Sequence, residues 1–145
     1  SNMRLTYATA QVGLKYVSFE VLNLPALNDI DVGACTMGTV TAEQTQLFAN
    51  RNNAAAKDVI AYFVRSTQPP FNGCASHPAN RPGAVVASGA SAWTLAHEIG
   101  HVLGLSHVSD NNRLMTGLGT DNITNPPPDI IASEKTTMLA SSFTN

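Results

Sequence analysis

The fold is decided in one stretch that holds three of the four histidines, His97-Glu98-Ile99-Gly100-His101-Val102-Leu103-Gly104-Leu105-Ser106-His107. It predicts a helix ending near Gly104, because glycine readily adopts the left-handed conformation found just past helix ends. On that helix His97 and His101 are four residues apart and share a face. The turn at Gly104 would bring His107 back toward them. Three histidine ligands and one open position are typical of catalytic zinc, whereas structural zinc has four protein ligands.

Glu98 directly follows the first of these histidines, so it would lie beside a bound metal without ligating it. There it could act as the general base for a water in the open position. The alternative is a carboxylate that only supports the ligands. Given the composition, the whole pattern would arise by chance in roughly five chains per million, so an ordinary helix with solvated histidines is a poor explanation.

The pattern H-E-x-x-H-x-x-G-x-x-H resembles the signature of the metzincin zinc endopeptidases, in which a methionine turn follows the histidines. Met115 fits that turn, within Asn112-Arg113-Leu114-Met115-Thr116-Gly117. The resemblance implies an α+β fold, with a twisted mixed sheet and two helices above the cleft and a small irregular lower subdomain ending in a helix. One catalytic domain would span 1–145, divided into about 3–104 and 105–145. Met115 would form an apolar floor beneath the histidines.

The resemblance also implies a zinc-dependent endopeptidase in which His97, His101 and His107 hold one Zn²⁺ and Glu98 activates the attacking water. In the clan the substrate lies extended against the edge strand that precedes the site helix. Here that strand would be 83–88. Its backbone, at Ala84, Val85, Val86 and Ala87, could pair with a peptide by strand addition; an ordinary edge strand is the alternative.

Several residues near the motif leave the family within the clan open. Val108 follows the third histidine where several metzincin families have a polar or small residue, and no tyrosine follows Met115 at ligand spacing. Asp110 is a rival third ligand, although His107 has the expected spacing. His77 is interpreted as a surface loop residue, and Trp93 as a core residue rather than a substrate platform.

Two other functions use the same residues. A zinc-binding module could keep the fold without turnover, although the intact Glu98 argues against it. A non-peptide amidohydrolase could use an identical constellation, and only substrate tests separate it from a peptidase.

Composition limits the class of protein and its partners. A net charge of −2 with no basic stripe argues against nucleic acid, and no apolar run approaches the roughly 20 residues of a membrane span. We expect a monomer, and the resemblance implies a protein or peptide substrate. Ser1-Asn2 before Met3 looks like a cloning remnant, and no signal peptide is visible.

Cys35 and Cys74 are the only cysteines and lack zinc-finger spacing. They could form a disulfide in an exported protein or remain as buried thiols in a cytosolic one, and we favour the disulfide. The resemblance adds a secreted or periplasmic location, because the clan is mostly secreted.

Periodicity and composition predict the remaining elements. Strands are expected at 3–9, 15–24, 58–64 and 83–88, and helices at 42–57, 91–104 and 130–141, with loops at 68–82 and from His107 to Pro128.

Overall fold

A computed structural model of the protein describes residues 2–144 and contains four α-helices and five short strands. The helices are α1 (Asn2–Thr9), α2 (Ala42–Leu47), α3 (Thr94–Val102) and α4 (Ala132–Ala140). The strands are β1 (Asp29–Asp31), β2 (Ile60–Val64), β3 (Ser66–Gln68), β4 (Gly73–Cys74) and β5 (Gly83–Ala87). Short 3₁₀ helices lie at Pro25–Leu27 and Thr120–Asn122.

The strands form a mixed three-stranded sheet and a separate parallel pair, β1 with β3. The larger sheet has the order β2-β5-β4, with β2 parallel and β4 antiparallel to β5. Residue Cys74 of β4 lies opposite Val85. Because β5 is paired on both sides, the prediction that it is an edge strand is wrong, and β4 forms that edge of the sheet.

The two faces of β5 contribute to two groups of buried apolar side chains. Successive strand residues point to opposite faces, so Ala84 belongs to one group and Val85 to the other. The first group joins the sheet to α1, α3, α4 and the loop after His107, through Tyr7, Ile99, Leu114, Met115 and Met138. The second lies against α2 and β1, through Ile30, Val32, Leu47, Phe48 and Tyr62.

Residues 3–9 form helix α1 rather than the predicted strand. Met3, Tyr7 and Ala10 recur at helical spacing and pack inward, with Tyr7 and Ala10 only 1% and 3% exposed. The Tyr7 hydroxyl donates to the Ala96 carbonyl at 2.9 Å, which ties α1 to α3. This tertiary contact outweighs the weak strand preference of Thr6 and Tyr7.

The prediction of a strand at 15–24 is also wrong, since the segment has no regular structure. Its alternating pattern is that of a half-buried strand, yet Tyr16, Phe19 and Val21 are 83%, 90% and 99% exposed. Alternation gives a strand only where a neighbouring strand and a core face are available.

Helix α2 has six residues, whereas the sequence predicted a helix over 42–57. Its start is as expected: Thr41 caps it, and its hydroxyl accepts from the Gln44 amide at 3.0 Å. The Asn50 side chain then donates to the Leu47 carbonyl at 3.0 Å and closes the helix. The Arg51 guanidinium donates to the carbonyls of Ala55 and Asp58 at 2.9 and 2.7 Å, which folds 51–58 into turns.

Strands β2 and β5 and helices α3 and α4 agree with their predictions apart from a few terminal residues, as is usual for helix and strand ends, whereas β1 and β3 were not predicted. β2, β5, α3 and α4 lie within the predicted 58–64, 83–88, 91–104 and 130–141. The loop at 68–82 contains β4, which was not predicted. Ser1 of the suspected cloning remnant lies outside the described residues, and Asn2 begins α1.

Candidate metal centre

Helix α3 lies across the sheet and presents two of the three motif histidines. Ala96, Ile99 and Val102 are buried in the core, which fixes the rotation of the helix about its axis. His97 and His101 consequently point toward one place on the other face, with their ring centroids 4.8 Å apart.

Gly104 ends this helix in the way the sequence predicts. Its φ of +99° lies in the region that favours glycine. The Gly104 and Leu105 amides each donate at 2.9 Å, to the carbonyls of His101 and Gly100, as in a glycine-terminated helix end. The chain then turns back and brings His107 against the helix.

The Nε2 atoms of the three histidines converge on one point. They are separated by 3.1 Å for His97 and His107, 3.1 Å for His101 and His97, and 3.0 Å for His101 and His107. Three nitrogens that each lie about 2.0–2.1 Å from a tetrahedral zinc would be roughly 3.3 Å apart. The described residues contain this one cluster of three or more potential metal ligands.

Hydrogen bonds at the opposite ring nitrogens fix which nitrogen can bind a metal. Nδ1 of His97 donates to the Leu114 carbonyl, and Nδ1 of His101 donates to the Leu105 carbonyl, each at 2.8 Å. With the proton on Nδ1, Nε2 presents a lone pair. Such lone pairs facing one another repel unless a cation lies between them, so the donor set fits zinc.

Burial keeps two of the rings neutral, which metal binding requires. Loss of solvent lowers the pKa of His97 to about 4, although the hydrogen bond to Leu114 opposes this shift. Burial also lowers the pKa of His101. These rings are therefore already deprotonated at neutral pH.

Met115 is fully buried and lies in the loop that follows His107. Its sulfur would be 2.6 Å from a Cβ on Gly100, so this contact requires glycine in the middle of α3. The Val108 amide donates to the Met115 carbonyl at 2.9 Å, and the Gly117 amide donates to the Val108 carbonyl at 2.9 Å. These bonds hold the segment after His107 against the Met115 loop.

Glu98 is 8% exposed, and burial raises the pKa of its carboxyl to about 7. Its side chain lies against β4: a Cβ on Gly73 would be 2.6 Å from its Cγ and 2.8 Å from its Oε1. The backbone of the sheet edge thus comes into direct contact with the carboxylate.

The sequence analysis missed the roles of Gly73, Gly100 and the Leu114 carbonyl. Gly100 carried a signal, because a glycine inside a helical pattern costs about 1 kcal/mol and usually marks close packing. The other two contacts join segments distant in the chain and left no local pattern.

The structure also places the two cysteines, Asp110, Trp93 and His77, which the sequence analysis singled out. A disulfide joins Cys35 to Cys74, next to Gly73. Asp110 accepts from the Asn112 amide at 2.9 Å and is outside the ligand cluster. Trp93 is half-buried at the start of α3, and half-buried His77 packs edge-on against Phe143 with ring centroids 6.3 Å apart.

The four residues predicted to bind substrate, Ala84, Val85, Val86 and Ala87, do not line a free sheet edge. Their strand is paired to β2 and β4, and the Ala87 amide donates to the Asn72 carbonyl at 2.9 Å. Ala84, Val85 and Val86 are at most 4% exposed. On that side β4 already pairs with β5 at Val85 and Val86.

Comparison with known proteins places this centre in a family. The matrixin family model matches residues 35–129 of the 145, which include the three histidines, Glu98, Met115 and both cysteines. Searches of curated proteins and of solved structures gave no match. Among the described residues, no helix has the length and apolar character needed to cross a membrane. The chain belongs to the matrixin family and is a zinc metalloendopeptidase.

Proposed function

We propose that this endopeptidase cleaves peptide bonds with a water that Glu98 activates. The observation that carries the proposal is the position of the Glu98 carboxylate, one residue after His97 and in contact with the sheet edge at Gly73. A peptide bond held between that edge and the three histidines would lie within reach of the carboxylate.

His97, His101 and His107 would hold the ion through Nε2. Bound zinc would supply a Lewis acid that polarises the scissile carbonyl and acidifies water, and its positive charge would favour the ionised form of the Glu98 carboxylate. Glu98 takes a proton from the water and delivers it to the nitrogen of the leaving amine. Its low exposure limits competition from bulk water for that proton.

Met115 is proposed to act as the methionine turn of the family. Its buried position under α3 and its fit to Gly100 support this role, since they give the histidine cluster an apolar support. It makes no polar contact that chemistry would need.

Substrate is proposed to bind along β4 rather than β5. The residues of β4, Gly73 and Cys74, pair with β5 on one side only, and β4 ends the sheet. An extended peptide could add there as a further strand, with its backbone beside Glu98. Binding by strand addition is thus retained, with the peptide pairing to β4 instead of β5.

An extracellular or periplasmic location is proposed from two facts. Matrixins are typically secreted. The Cys35–Cys74 disulfide is of a kind that persists in oxidising compartments.

The decisive experiment is digestion of a diverse peptide mixture by zinc-loaded protein and by Glu98→Gln. Glu20→Gln, an exposed glutamate whose carboxylate contacts Asn52, is the matched control. We expect wild type and Glu20→Gln to cleave peptides. Cleavage should be absent with Glu98→Gln and after chelation, while Glu98→Gln still binds one zinc.

Two results would contradict the proposal. Unchanged cleavage by Glu98→Gln would remove Glu98 as the base. One bound zinc with no cuts by any protein would instead favour a binding module or a non-peptide substrate.

A further inference from the structure

A hydrogen bond between two exposed side chains links the sheet edge to the segment after Met115. Asn72 immediately precedes β4, and Asp121 lies in the 3₁₀ turn Thr120–Asn122. The Asn72 amide donates to Oδ2 of Asp121 at 3.0 Å.

Asp121 is held in place by its neighbour. Thr120 is 6% exposed, and its hydroxyl is 2.8 Å from that of Thr94 and accepts from that of Ser91 at 2.9 Å. This cluster attaches the 3₁₀ turn Thr120–Asn122 to the beginning of α3. The Asp121 carboxylate therefore projects from a fixed backbone.

This pair lies close to the reacting groups. Asn72 is adjacent to Gly73, which contacts Glu98. Since a strand advances about 3.3 Å per residue, a peptide along β4 would meet Asn72 and Asp121 within about three residues of the cut.

Among the described residues, the Asp121 carboxylate has a neutral partner and no cationic one. The ion pairs among the described residues are Arg65 with Asp29 and Arg113 with Glu134, and neither includes Asp121. A basic side chain entering here would gain a charge-assisted contact that Asn72 does not provide.

We propose that Asp121 and Asn72 form a specificity subsite for a Lys or Arg side chain of the substrate within three residues of the scissile bond. In the free enzyme the side-chain amide of Asn72 is hydrogen-bonded to the Asp121 carboxylate. It is displaced when the basic side chain binds. The proposal rests on the proposed peptidase function and adds a substrate class to it.

Asp121→Asn removes the negative charge but keeps the size of the side chain, because an Asn at this position still accepts a hydrogen bond from the Asn72 amide. Paired peptides carrying Lys or its uncharged counterpart norleucine at each position around one cut would be compared by kcat/KM. We expect wild type to prefer Lys at one such position and Asp121→Asn to lose about 3- to 10-fold of that preference, with norleucine peptides cleaved as before. Added salt should weaken the preference of wild type and not that of the variant.

Two further variants sharpen the test. Asn72→Ala keeps the carboxylate and removes its internal partner, so it should raise kcat/KM for basic peptides about 2- to 5-fold. Glu20→Gln is the matched control, since it removes an exposed acid that accepts from an asparagine amide elsewhere, and it should change nothing.

The outcomes separate the two proposals. Cleavage with no basic preference, or with a preference that Asp121→Asn retains, overturns the subsite and leaves the peptidase function intact. No cleavage by any of these proteins overturns the peptidase function, and the subsite with it.

Discussion

Gly73 shows how one missing side chain shapes the catalytic centre. The Glu98 carboxylate occupies the space that a Cβ at position 73 would take. We expect Gly73→Ala to displace Glu98 and to lower kcat/KM by about tenfold or more, because Glu98 is the proposed general base and small misplacements of such a group have large effects. Zinc content should stay at wild-type level, since the histidines are not displaced.

The matched variant is Gly89→Ala, because a Cβ there would meet nothing within 4 Å. Peptide cleavage and metal analysis of both variants check the prediction. Wild-type kcat/KM in Gly73→Ala would show that the contact does not position Glu98.

His97 and Glu98 have opposite effects on how stability depends on pH in the metal-free protein. Burial lowers the pKa of His97 from 6.5 to about 4, so between these values only the unfolded state is protonated there and the free energy of unfolding rises with pH. Burial raises the pKa of Glu98 from 4.5 to about 7, so its contribution falls as pH rises. In wild type the two slopes oppose each other between about pH 4.5 and 6.5.

Glu98→Gln removes the contribution of Glu98 to the pH dependence of the free energy of unfolding. We expect the free energy of unfolding of the metal-free variant to rise by up to about 3 kcal/mol between pH 4.5 and 6.5, with a much flatter profile in wild type. Urea unfolding with a chelator at several pH values measures this directly. A flat profile in Glu98→Gln would contradict the burial effect on His97.

At the scale of elements, a disulfide ties the short strand β4 to the loop at Cys35. The Cys35–Cys74 bond closes a separation of 39 residues, for which the chain-entropy model gives about 4 kcal/mol. We expect the variant with both Cys35→Ser and Cys74→Ser to lose about that much free energy of unfolding, measured by urea. A loss below about 1 kcal/mol would mean that the bond adds little, and chemically reduced wild type provides the control.

Helix α4 supports the metal centre through the loop between the third histidine and Met115. The Arg113 guanidinium lies 2.7 Å from the Glu134 carboxylate of α4, and both side chains are largely buried. The next residue, Leu114, supplies the carbonyl that orients His97. Helix α4 thus holds the segment whose carbonyl bonds His97.

We expect Arg113→Met to weaken zinc binding by about tenfold, because partners that orient a ligand typically contribute that much to affinity. Arg65→Met is the control, since Arg65 pairs with Asp29 at an exposed position outside the centre. Competition with a zinc indicator would measure both dissociation constants, and equal values for wild type and Arg113→Met would argue against this coupling.

At the scale of the whole molecule, zinc should stabilise the fold. Its three ligands come from α3 and the loop after it, and the carbonyl that bonds His97 follows Arg113, which pairs with α4. With free zinc a thousandfold above the dissociation constant, mass action adds about 4 kcal/mol to the free energy of unfolding. We expect a higher Tm with zinc than with a chelator, and a much smaller increase in His107→Ala; scanning calorimetry on both proteins tests this.

Much of the metal centre was predictable from eleven consecutive residues. A helix places His97 and His101 on one face, and Gly104 allows the turn that returns His107, so local geometry suffices. The strands at 58–64 and 83–88 were also predictable, because continuous apolar runs mark buried strands.

Only the tertiary structure decided which strand forms the sheet edge, whether 3–9 is a helix, and which loop residues face Glu98. These features depend on contacts between distant segments, such as Tyr7 with Ala96 and Gly73 with Glu98. The sequence by itself determined the three candidate ligand histidines and the helix that carries two of them, since their spacing is local. The cleft around them was decided by pairing and packing across the chain, which leave no periodic pattern in the sequence.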